Sequence, residues 1–414
     1  MADKLVGSEI IKLAGEIKAK IAGGEPISNL TIGDFNPGFF PIPKELKEEI
    51  INCYQDDVTN YPAANGMVEL RESVSEFLKE REELTYSADE LLIAGGARPL
   101  IYAAYRALID PEDKVLFPVP SWNNNHYSHL TAAQQIIIET VAENNFMPTA
   151  QEIKPYISDL TMIALCSPLN PTGTVFSVEQ LKGICELILE ENKKRKIAGV
   201  KPLYILFDQI YWLLTYGETS HTSPVNLFPE LKDYTIYIDG LSKAFAATGV
   251  RVGWGFGPQA VINKMKSILG HVGAWAPKAE QIAVANYLKN KEAVNSYLSE
   301  IKSNIELRLN KFYEGFLLLK GKGYSVDVIA PQAAIYLTVK FDLIGKKTAE
   351  GEMITTTSQI TQYILNETKL GIVPFYSFGT DRDSTWYRLS VGTANVDNIE
   401  AIFKRIEEGL DKLQ

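Results

Sequence analysis

The sequence predicts an α/β protein with a large, mostly parallel sheet of seven strands and a smaller α+β unit. Seven short segments are predicted to be strands, and several of them are nearly apolar throughout, which is typical of strands that are buried on both faces of a sheet. Helical segments separate several of them, as parallel neighbouring strands require. The predicted strands are residues 91–94, 114–117, 135–141, 162–166, 203–207, 235–238 and 252–256.

Amphipathic helices are predicted before and between these strands. In residues 66–83, apolar side chains recur at the spacing of one helical face. Further helices are predicted at residues 98–108, 178–198 and 258–289. In sheets of this kind, ligands bind beyond the carboxyl ends of the strands. Polar residues that directly follow the predicted strands are therefore candidates for a functional site.

A second unit is predicted to begin near residue 291. A long helix to residue 321 leads into strands around 335–341 and 387–391, and a helix over 396–413 closes the chain. We expect three parts: an N-terminal segment (1–45) that joins the small domain, a large domain (46–290) and a small C-terminal domain (291–414). Residues 345–357, rich in Lys, Gly and Thr, are expected to form an exposed loop.

The composition excludes several classes of function. The 414 residues carry a formal net charge of -10, which argues against nucleic acid as the natural partner. Three scattered cysteines suit neither a disulfide framework nor a zinc site, and the four histidines form no ligand motif, so we expect no metal. Residues 1–20 lack the unbroken apolar run of a signal peptide or membrane span, and we expect a cytoplasmic protein.

Four side-chain chemistries occur after predicted strands or in the segments that follow them. The lysine amine of Lys243 can form a Schiff base with an aldehyde, and the carboxylate of Asp208 can hold a pyridine nitrogen protonated. The phenol of Tyr211 can bond a ring oxygen, and Arg251 can bind a phosphate. Pyridoxal 5′-phosphate (PLP) needs all four, so the sequence predicts a PLP site.

Over nearly its whole length the chain resembles the class I/II aminotransferases of the fold type I PLP-dependent enzymes. The resemblance rests on an ordered set of motifs, each of which would be weak alone. The matching segments are residues 61–71, 95–96, 118–122, 170–173, 208–211, 242–251 and 388–390. The resemblance implies that the large domain binds PLP.

The resemblance assigns three catalytic residues. Lys243 would bind the cofactor covalently and then move the substrate proton as a general acid and base. Asp208 would keep the pyridine nitrogen protonated, and Tyr211 would bond the phenolic oxygen of the ring. Gln209 departs from the family's usual glutamate, which is not a chemical group of the core site.

The resemblance also implies how the rest of the cofactor is held. The turn formed by Gly96, Ala97 and Arg98 opens a helix whose free N–H groups can meet the phosphate. The family's other phosphate ligands match Ser242, Arg251 and Tyr61, and the tyrosine comes from the neighbouring subunit. The active site would then be complete only in a homodimer.

Substrate binding is implied for residues on both sides of the cofactor. Arg388 matches the arginine that holds the α-carboxylate with two parallel bonds, and the backbone near Gly33 touches the same group. Trp122 would lie on the pyridine ring. Asn170 would bond the ring oxygen and border the substrate carboxylate.

Arg98 gives the one indication of which amino acid is bound. The family most often has Ser or Thr there, whereas a lysine can occupy the position in the gamma subgroup of aspartate aminotransferases and read a distal carboxylate. Cys166-Ser167-Pro168 also resembles that subgroup. We therefore expect L-aspartate and 2-oxoglutarate to give oxaloacetate and L-glutamate by a ping-pong mechanism. The alternative to this role is that Arg98 faces solvent or only supports the phosphate.

Other activities are compatible with the same cofactor residues. A transaminase for aromatic, kynurenine-like or other amino acids would differ only in the substrate pocket. A PLP-dependent lyase would share the core and would need no keto-acid acceptor. A PLP-binding regulator without turnover would not need Lys243, Asp208 and Arg388 together.

Overall fold

A seven-stranded sheet forms the centre of the larger part of the chain. The computed structural model describes residues 9–122 and 124–414. The strand order is β2-β8-β7-β6-β5-β3-β4, and only β8 runs antiparallel to its neighbours. The strands are β2 (Leu91–Ala94), β3 (Lys114–Val119), β4 (Gln134–Glu139), β5 (Leu160–Cys166), β6 (Tyr204–Asp208), β7 (Thr235–Gly240) and β8 (Gly253–Phe256). The predicted fold class and all seven predicted segments are confirmed.

Burial explains why these segments are apolar. Every residue of β2, β7 and β8 is buried, because helices cover both faces of the sheet. The described α-helices are α1 (Glu9–Ala22), α2 (Lys44–Gln55), α3 (Val68–Glu82), α4 (Ala97–Leu108), α5 (Asn124–Thr131), α6 (Ala150–Ile153), α7 (Val178–Ala198), α8 (Pro224–Leu227), α9 (Gln259–Val272), α10 (Lys278–Lys289), α11 (Lys291–Gly321), α12 (Thr357–Tyr363) and α13 (Ile399–Leu410). Within residues 9–122 and 124–414, none of the helices combines the length and the apolar character needed to cross a membrane.

The single helix predicted over residues 258–289 is wrong. The structure has two helices there, α9 and α10, separated by a short irregular segment. Gly273 ends α9 with a left-handed φ of 73°, and Pro277 directly precedes α10. Glycine adopts this conformation without steric cost, and proline disfavours helical geometry in the residue before it. Both stop signals are present in the sequence.

A smaller antiparallel sheet lies in the C-terminal part. Its order is β12-β13-β10-β9. The strands are β9 (Val326–Val328), β10 (Tyr336–Phe341), β12 (Val373–Pro374) and β13 (Trp386–Ser390). A separate parallel ladder pairs β1 (Ser28–Asn29) with β11 (Leu370–Gly371), so the N-terminal segment is hydrogen-bonded to the C-terminal part. The first eight residues of the predicted segment 1–45 lie outside the described residues.

The long helix α11 passes from one hydrophobic core to the other. Its first buried residues, Val294 and Leu298, belong to the core beside the large sheet. The next, from Ile301 onwards, belong to the core around the small sheet. The change of core therefore falls inside α11, two to three turns after its first residue. The division at residues 45/46 and 290/291 stays a prediction.

A close backbone approach fixes the start of α4 against β8. A Cβ on Gly253 would lie 2.5 Å from the carbonyl carbon of Gly96 and 2.9 Å from the nitrogen of Ala97. Contacts this short with backbone atoms force a displacement of the chain. The position therefore requires glycine, and it ties the sheet to the turn that opens α4.

We predict opposite effects on stability for two glycine-to-alanine changes. Gly253→Ala lowers the free energy of unfolding by about 1–3 kcal/mol, because the added methyl group overpacks the turn. Gly270→Ala, in the last turn of α9 where a Cβ meets nothing within 4 Å, raises it by about 0.5–1 kcal/mol. Chemical denaturation of both variants checks this. Equal effects of the two changes would contradict the close approach.

Candidate active site

A cavity of about 550 Å³ opens at the carboxyl ends of the parallel strands. Residues from the ends of β5 and β6, from the start of α4 and from the β7–β8 connection line it, together with residues of the small sheet. Eleven of the predicted site residues line this cavity: Gly33, Ala97, Arg98, Trp122, Asn170, Asp208, Tyr211, Ser242, Lys243, Arg251 and Arg388. The fold therefore brings together side chains from positions 33 to 388.

Two predicted site residues do not line the cavity among the residues that the structure describes. Gly96 lies just behind it, where a Cβ would overlap the guanidinium of Arg251. Tyr61 is 83% exposed, and its ring packs edge-on against Trp275 at 5.6 Å between centroids. Within this one chain, Tyr61 is a surface residue.

Asp208 ends β6 and places a carboxylate in the cavity. Its Oδ1 accepts a hydrogen bond of 3.1 Å from the backbone N–H of Ile210. Burial raises the pKa of the Asp208 carboxyl to about 6, although the Ile210 N–H and the charge of Lys243 act in the opposite direction. A carboxylate held this way is stabilised by a cationic group placed against it.

Lys243 follows β7 in a tight turn and extends into the same cavity. Its Nζ donates a 2.7 Å hydrogen bond to the backbone oxygen of Gly33. Burial lowers the pKa of the Lys243 amine to about 8, and the nearby arginines act in the same direction while Asp34 opposes them. The neutral amine, which is the nucleophilic form, is therefore much more accessible near neutral pH than in an ordinary lysine.

The start of α4 and Arg251 form a site suited to an anion. Gly96 caps the helix with a φ of 98°. As at the start of any α-helix, the first N–H groups of α4 have no partners inside the helix. Arg251 donates to the backbone oxygens of Gly95 at 2.7 Å and Thr248 at 2.8 Å, so its guanidinium is fixed beside this turn. Ser242 adds a hydroxyl group to the same cavity.

Arg388 lies in the middle of β13 and is buried. One of its terminal nitrogens donates to Oδ1 of Asn170 at 3.0 Å, and the other donates to the backbone oxygen of Thr31 at 2.7 Å. Its Nε has no hydrogen-bond partner among the described residues. The ring of Phe378 lies 4.9 Å from its Cζ. A buried guanidinium with an unused donor is suited to binding an anion that enters the cavity.

Arg98 supplies a further cation to the cavity. Its side chain is exposed, and its Cζ lies 5.4 Å from the ring of Trp122, a cation–π contact. Arg98 therefore lines the cavity while keeping contact with solvent. Among the described residues, no carboxylate forms an ion pair with Arg98.

Sequence reasoning missed several lining residues. Tyr336, the first residue of β10, bonds the hydroxyl of Tyr211 at 2.6 Å. Asp34 accepts from the Thr248 hydroxyl at 2.7 Å and follows Gly33 directly in the chain. Ile10 of α1 also lines the cavity. Of these three, Asp34 is the one that stands beside a predicted site residue, whereas nothing in the local sequence distinguishes Tyr336 and Ile10 from core residues.

The chemistry available in the cavity is that of amine and carboxylate recognition. It combines an amine of lowered pKa, a carboxyl group of raised pKa and arginines from both the large-sheet part and the small sheet. Opposed pKa shifts within one cavity are typical of active sites. Such a site suits a small anionic molecule whose carbonyl or amino group meets Lys243.

Curated proteins similar to the chain carry related names. The aspartate aminotransferase of Bacillus subtilis (strain 168) is 27% identical over 405 residues, which cover 97% of this chain and 93% of that protein. The probable aspartate/prephenate aminotransferase of Rickettsia conorii (strain ATCC VR-613 / Malish 7) is 29% identical over 385 residues, 92% of this chain and 91% of that protein.

Solved structures similar to the chain extend over its whole length. The aspartate aminotransferase from Rhizobium meliloti superposes with a TM-score of 0.90 at 25% identity, covering 100% of this chain and 98% of that one. The aspartate aminotransferase from Thermus thermophilus with maleate gives a TM-score of 0.86 at 23% identity, covering 99% and 98%, and shows the likeness of fold.

The family pattern described as "Aminotransferase class I and II" matches residues 25–406. That range contains the large sheet, all the predicted site residues and the strand that carries Arg388. Enzymes of this family depend in general on PLP. With the family's pattern running through both sheets and through the cavity between them, the chain belongs to the class I and II aminotransferases.

Proposed function

We propose that this aminotransferase holds PLP in the cavity and exchanges amino groups between L-aspartate and 2-oxoglutarate by a ping-pong mechanism. The choice of substrate rests on one observation. The cavity that contains Lys243 also contains Arg388, which is buried, and Arg98, which is exposed to solvent. A dicarboxylic amino acid has two anionic ends to match two cations. The names of the relatives support the same substrate.

The residues present fit PLP at three points. Asp208 offers a buried carboxylate whose pKa is raised by burial, and a protonated pyridine nitrogen would stabilise its charged form. The start of α4, Ser242 and Arg251 offer N–H, hydroxyl and guanidinium donors for a phosphate dianion. Trp122 offers an aromatic face in the same cavity.

PLP, when bound, supplies a conjugated ring that can take up the electron pair of the bond broken at the substrate α-carbon. Lys243 would hold the cofactor covalently in the resting enzyme and, once freed by the substrate amine, would carry the α-proton on Nζ. A pKa of about 8 lets this amine both take and return a proton near neutral pH. Asp208 would keep its partner nitrogen protonated, and Tyr211 would donate its phenolic proton to the ring oxygen.

Arg388 would bind the substrate α-carboxylate. Its two terminal nitrogens are already aligned by Asn170 and by the backbone of Thr31, so little orientation remains to be fixed on binding. Gly33, whose backbone borders both Lys243 and Arg388, would close the same end of the pocket. At the other end, Arg98 would meet the distal carboxylate.

The N-terminal segment would help to exclude water. Ile10 and Ala14 of α1 contribute apolar side chains to the lining. We infer that substrate binding draws this segment and the small domain inward, because a drier cavity strengthens the contacts of both arginines. Superposition of structures solved with and without a substrate analogue tests the movement.

We further propose a cytoplasmic homodimer in which Tyr61 contributes to the neighbour's phosphate site. Tyr61 is exposed in the single chain, as are Ile51 and Tyr54 of α2, which supports a surface that a second copy covers. The three cysteines are free thiols, which is consistent with a reducing compartment.

We predict that L-aspartate alone converts the PLP form of the enzyme to the pyridoxamine form in a single turnover, followed by absorbance. Arg98→Ala should lower the kcat/KM for aspartate by about 10–100-fold, because a charged hydrogen bond contributes about 1.5–3 kcal/mol. It should leave the rate with alanine nearly unchanged, since alanine has no distal carboxylate.

The same assay with phenylalanine and kynurenine provides the comparison. Conversion with these amino acids and not with aspartate would support the aminotransferase activity and contradict L-aspartate as the amino donor. Full aspartate activity in the Arg98→Ala variant would reject the role of Arg98. Release of ammonia without an acceptor would indicate a lyase.

We predict that Lys243→Met raises the melting temperature of the cofactor-free protein at pH 7 by about 2 °C or more. The folded pKa of about 8 lies below the ordinary 10.5, so the unfolded chain binds the proton more tightly and burial of the charge costs stability. This cost is full below pH 8 and disappears as the pH rises towards 10.5, so the advantage of the variant should shrink over that range.

Lys264→Met provides the matched control, because Lys264 is exposed on α9. Thermal unfolding of both variants between pH 7 and 10.5 measures the effect. A gain that is equal for both variants, or constant over the pH range, would contradict the burial of Lys243.

We predict that the Tyr61→Ala and Lys243→Ala variants, each of low activity, regain activity when they are unfolded and refolded together. If Tyr61 acts across the interface, a mixed dimer holds one intact site, and roughly a quarter of the wild-type activity returns in a statistical mixture. Activity is measured against each variant refolded alone. No recovery in dimers shown by sedimentation to be mixed would place Tyr61 in its own subunit's site.

A further inference from the structure

Tyr336 lies where the small sheet meets the cavity and belongs to none of the motifs in the sequence. It is the first residue of β10, it is 2% exposed, and it lines the cavity beside Tyr211 and Arg388. Its side chain has two distinct ends, a hydroxyl group and a ring face. Each end contacts a different residue of the proposed mechanism.

The hydroxyl end contacts Tyr211. The two phenolic oxygens are 2.6 Å apart, and the rings pack edge to face with their centroids 5.5 Å apart. The same oxygen of Tyr336 would lie 2.7 Å from a Cβ on Gly33, so the segment at Gly33 also touches it. Since Gly33 accepts the hydrogen bond of Lys243, this hydroxyl contacts Tyr211 directly and is separated from Lys243 by Gly33 alone.

The ring end contacts Arg388. The Cζ atom of Arg388 lies 4.8 Å from the centre of the Tyr336 ring. The negative face of an aromatic ring attracts a guanidinium, and the attraction is larger when both groups are removed from water. Both residues are almost fully buried. Tyr336 is therefore in contact with Tyr211 and Arg388 at the same time.

We propose that Tyr336 is a positioning residue that acts on the two ends of the active site separately, its hydroxyl through Tyr211 and its ring through Arg388. The inference rests on the proposed function, because it assigns Tyr211 to the cofactor and Arg388 to the substrate. Tyr336 itself need not touch either molecule.

Proton counting fixes the direction of the hydrogen bond between the two tyrosines. A phenol carries one proton and can donate only once. When Tyr211 donates to the ring oxygen of the cofactor, the 2.6 Å bond can persist only if Tyr336 donates to Tyr211. Accepting this bond makes Tyr211 a stronger donor, since hydrogen bonds in a chain polarise one another. Both tyrosines are 2% exposed, and Tyr336 supplies the one hydrogen bond that the Tyr211 hydroxyl makes among the described residues.

Tyr336→Phe removes the hydroxyl and keeps the ring. With a weaker donor at Tyr211, the ring oxygen of bound PLP would carry more negative charge. This charge would make it harder to remove the proton from Nζ of Lys243 when that nitrogen holds the cofactor. The pH midpoint of the absorption band of bound PLP should therefore rise by about 0.3–1 unit, the scale of one neutral hydrogen bond. The kcat should fall about threefold to tenfold, while the KM for the amino acid changes little.

A double-mutant cycle tests whether the hydroxyl acts through Tyr211. Tyr211→Phe alone should raise the same midpoint, and adding Tyr336→Phe to it should change the midpoint no further. Tyr216→Phe provides the matched control, because Tyr216 is a buried tyrosine whose hydroxyl donates a 2.6 Å bond to Ala334 outside the cavity lining. It should leave the midpoint at the wild-type value.

Tyr336→Leu tests the ring end. It removes the face under Arg388, so the KM for the amino acid should rise about threefold or more relative to Tyr336→Phe. The dissociation constant of PLP for the cofactor-free protein, measured by fluorescence titration, should be similar for the Leu and Phe variants. This separates a local effect on Arg388 from a general loosening of the site.

The outcomes distinguish this inference from the proposed function. Wild-type protein that shows no band of bound PLP and no transamination would overturn both. A wild-type enzyme that transaminates, together with a Tyr336→Phe variant of unchanged midpoint or a fully additive cycle, would overturn the role of Tyr336 alone. Equal KM values in the Phe and Leu variants would overturn the part played by its ring.

Discussion

The candidate active site depends above all on keeping two ionisable groups of opposite charge in one partly dehydrated cavity. Burial raises the pKa of Asp208 and lowers that of Lys243, so each charged form is costly in the folded chain. The parallel strands tolerate this cost because they place both residues at strand ends, where backbone N–H and C=O groups are available as partners. Binding of a molecule that carries the complementary charges removes part of the cost, and this couples ligand affinity to stability.

Much of the fold followed from local patterns in the sequence. The strands ending at Ala94 and Asp208 are short apolar runs bounded by polar or glycine residues, and a sheet buried on both faces leaves little alternative for them. The prediction of one helix across Gly273 was wrong because apolar residues continue at helical spacing through the segment that separates α9 from α10. The backbone signals of Gly273 and Pro277 outweighed the side-chain pattern.

Residue identity could be predicted better than side-chain direction. The motifs marked Asp208 and Lys243, and the structure brings both into one cavity. They could not show that Arg98 lies over Trp122 or that Tyr336 meets Tyr211, because those contacts join elements far apart in the chain. The predicted role of Tyr61 depends on a second copy of the chain, and in the single chain its side chain is exposed.

The ladder between β1 and β11 has a mechanical consequence. It fastens the strand that leads to Gly33 onto the C-terminal part of the chain, which also carries Arg388. Lys243 and Asp208, in contrast, are anchored to the large sheet. In the proposed mechanism, the C-terminal part would bind the substrate carboxylate through Arg388, and the large sheet would hold the proton-transfer groups. A substrate bound to Arg388 would bring its amino group to Lys243 only if its carboxylate and its amine lay the right distance apart, so the two parts of the chain together would select for that distance before any bond is broken.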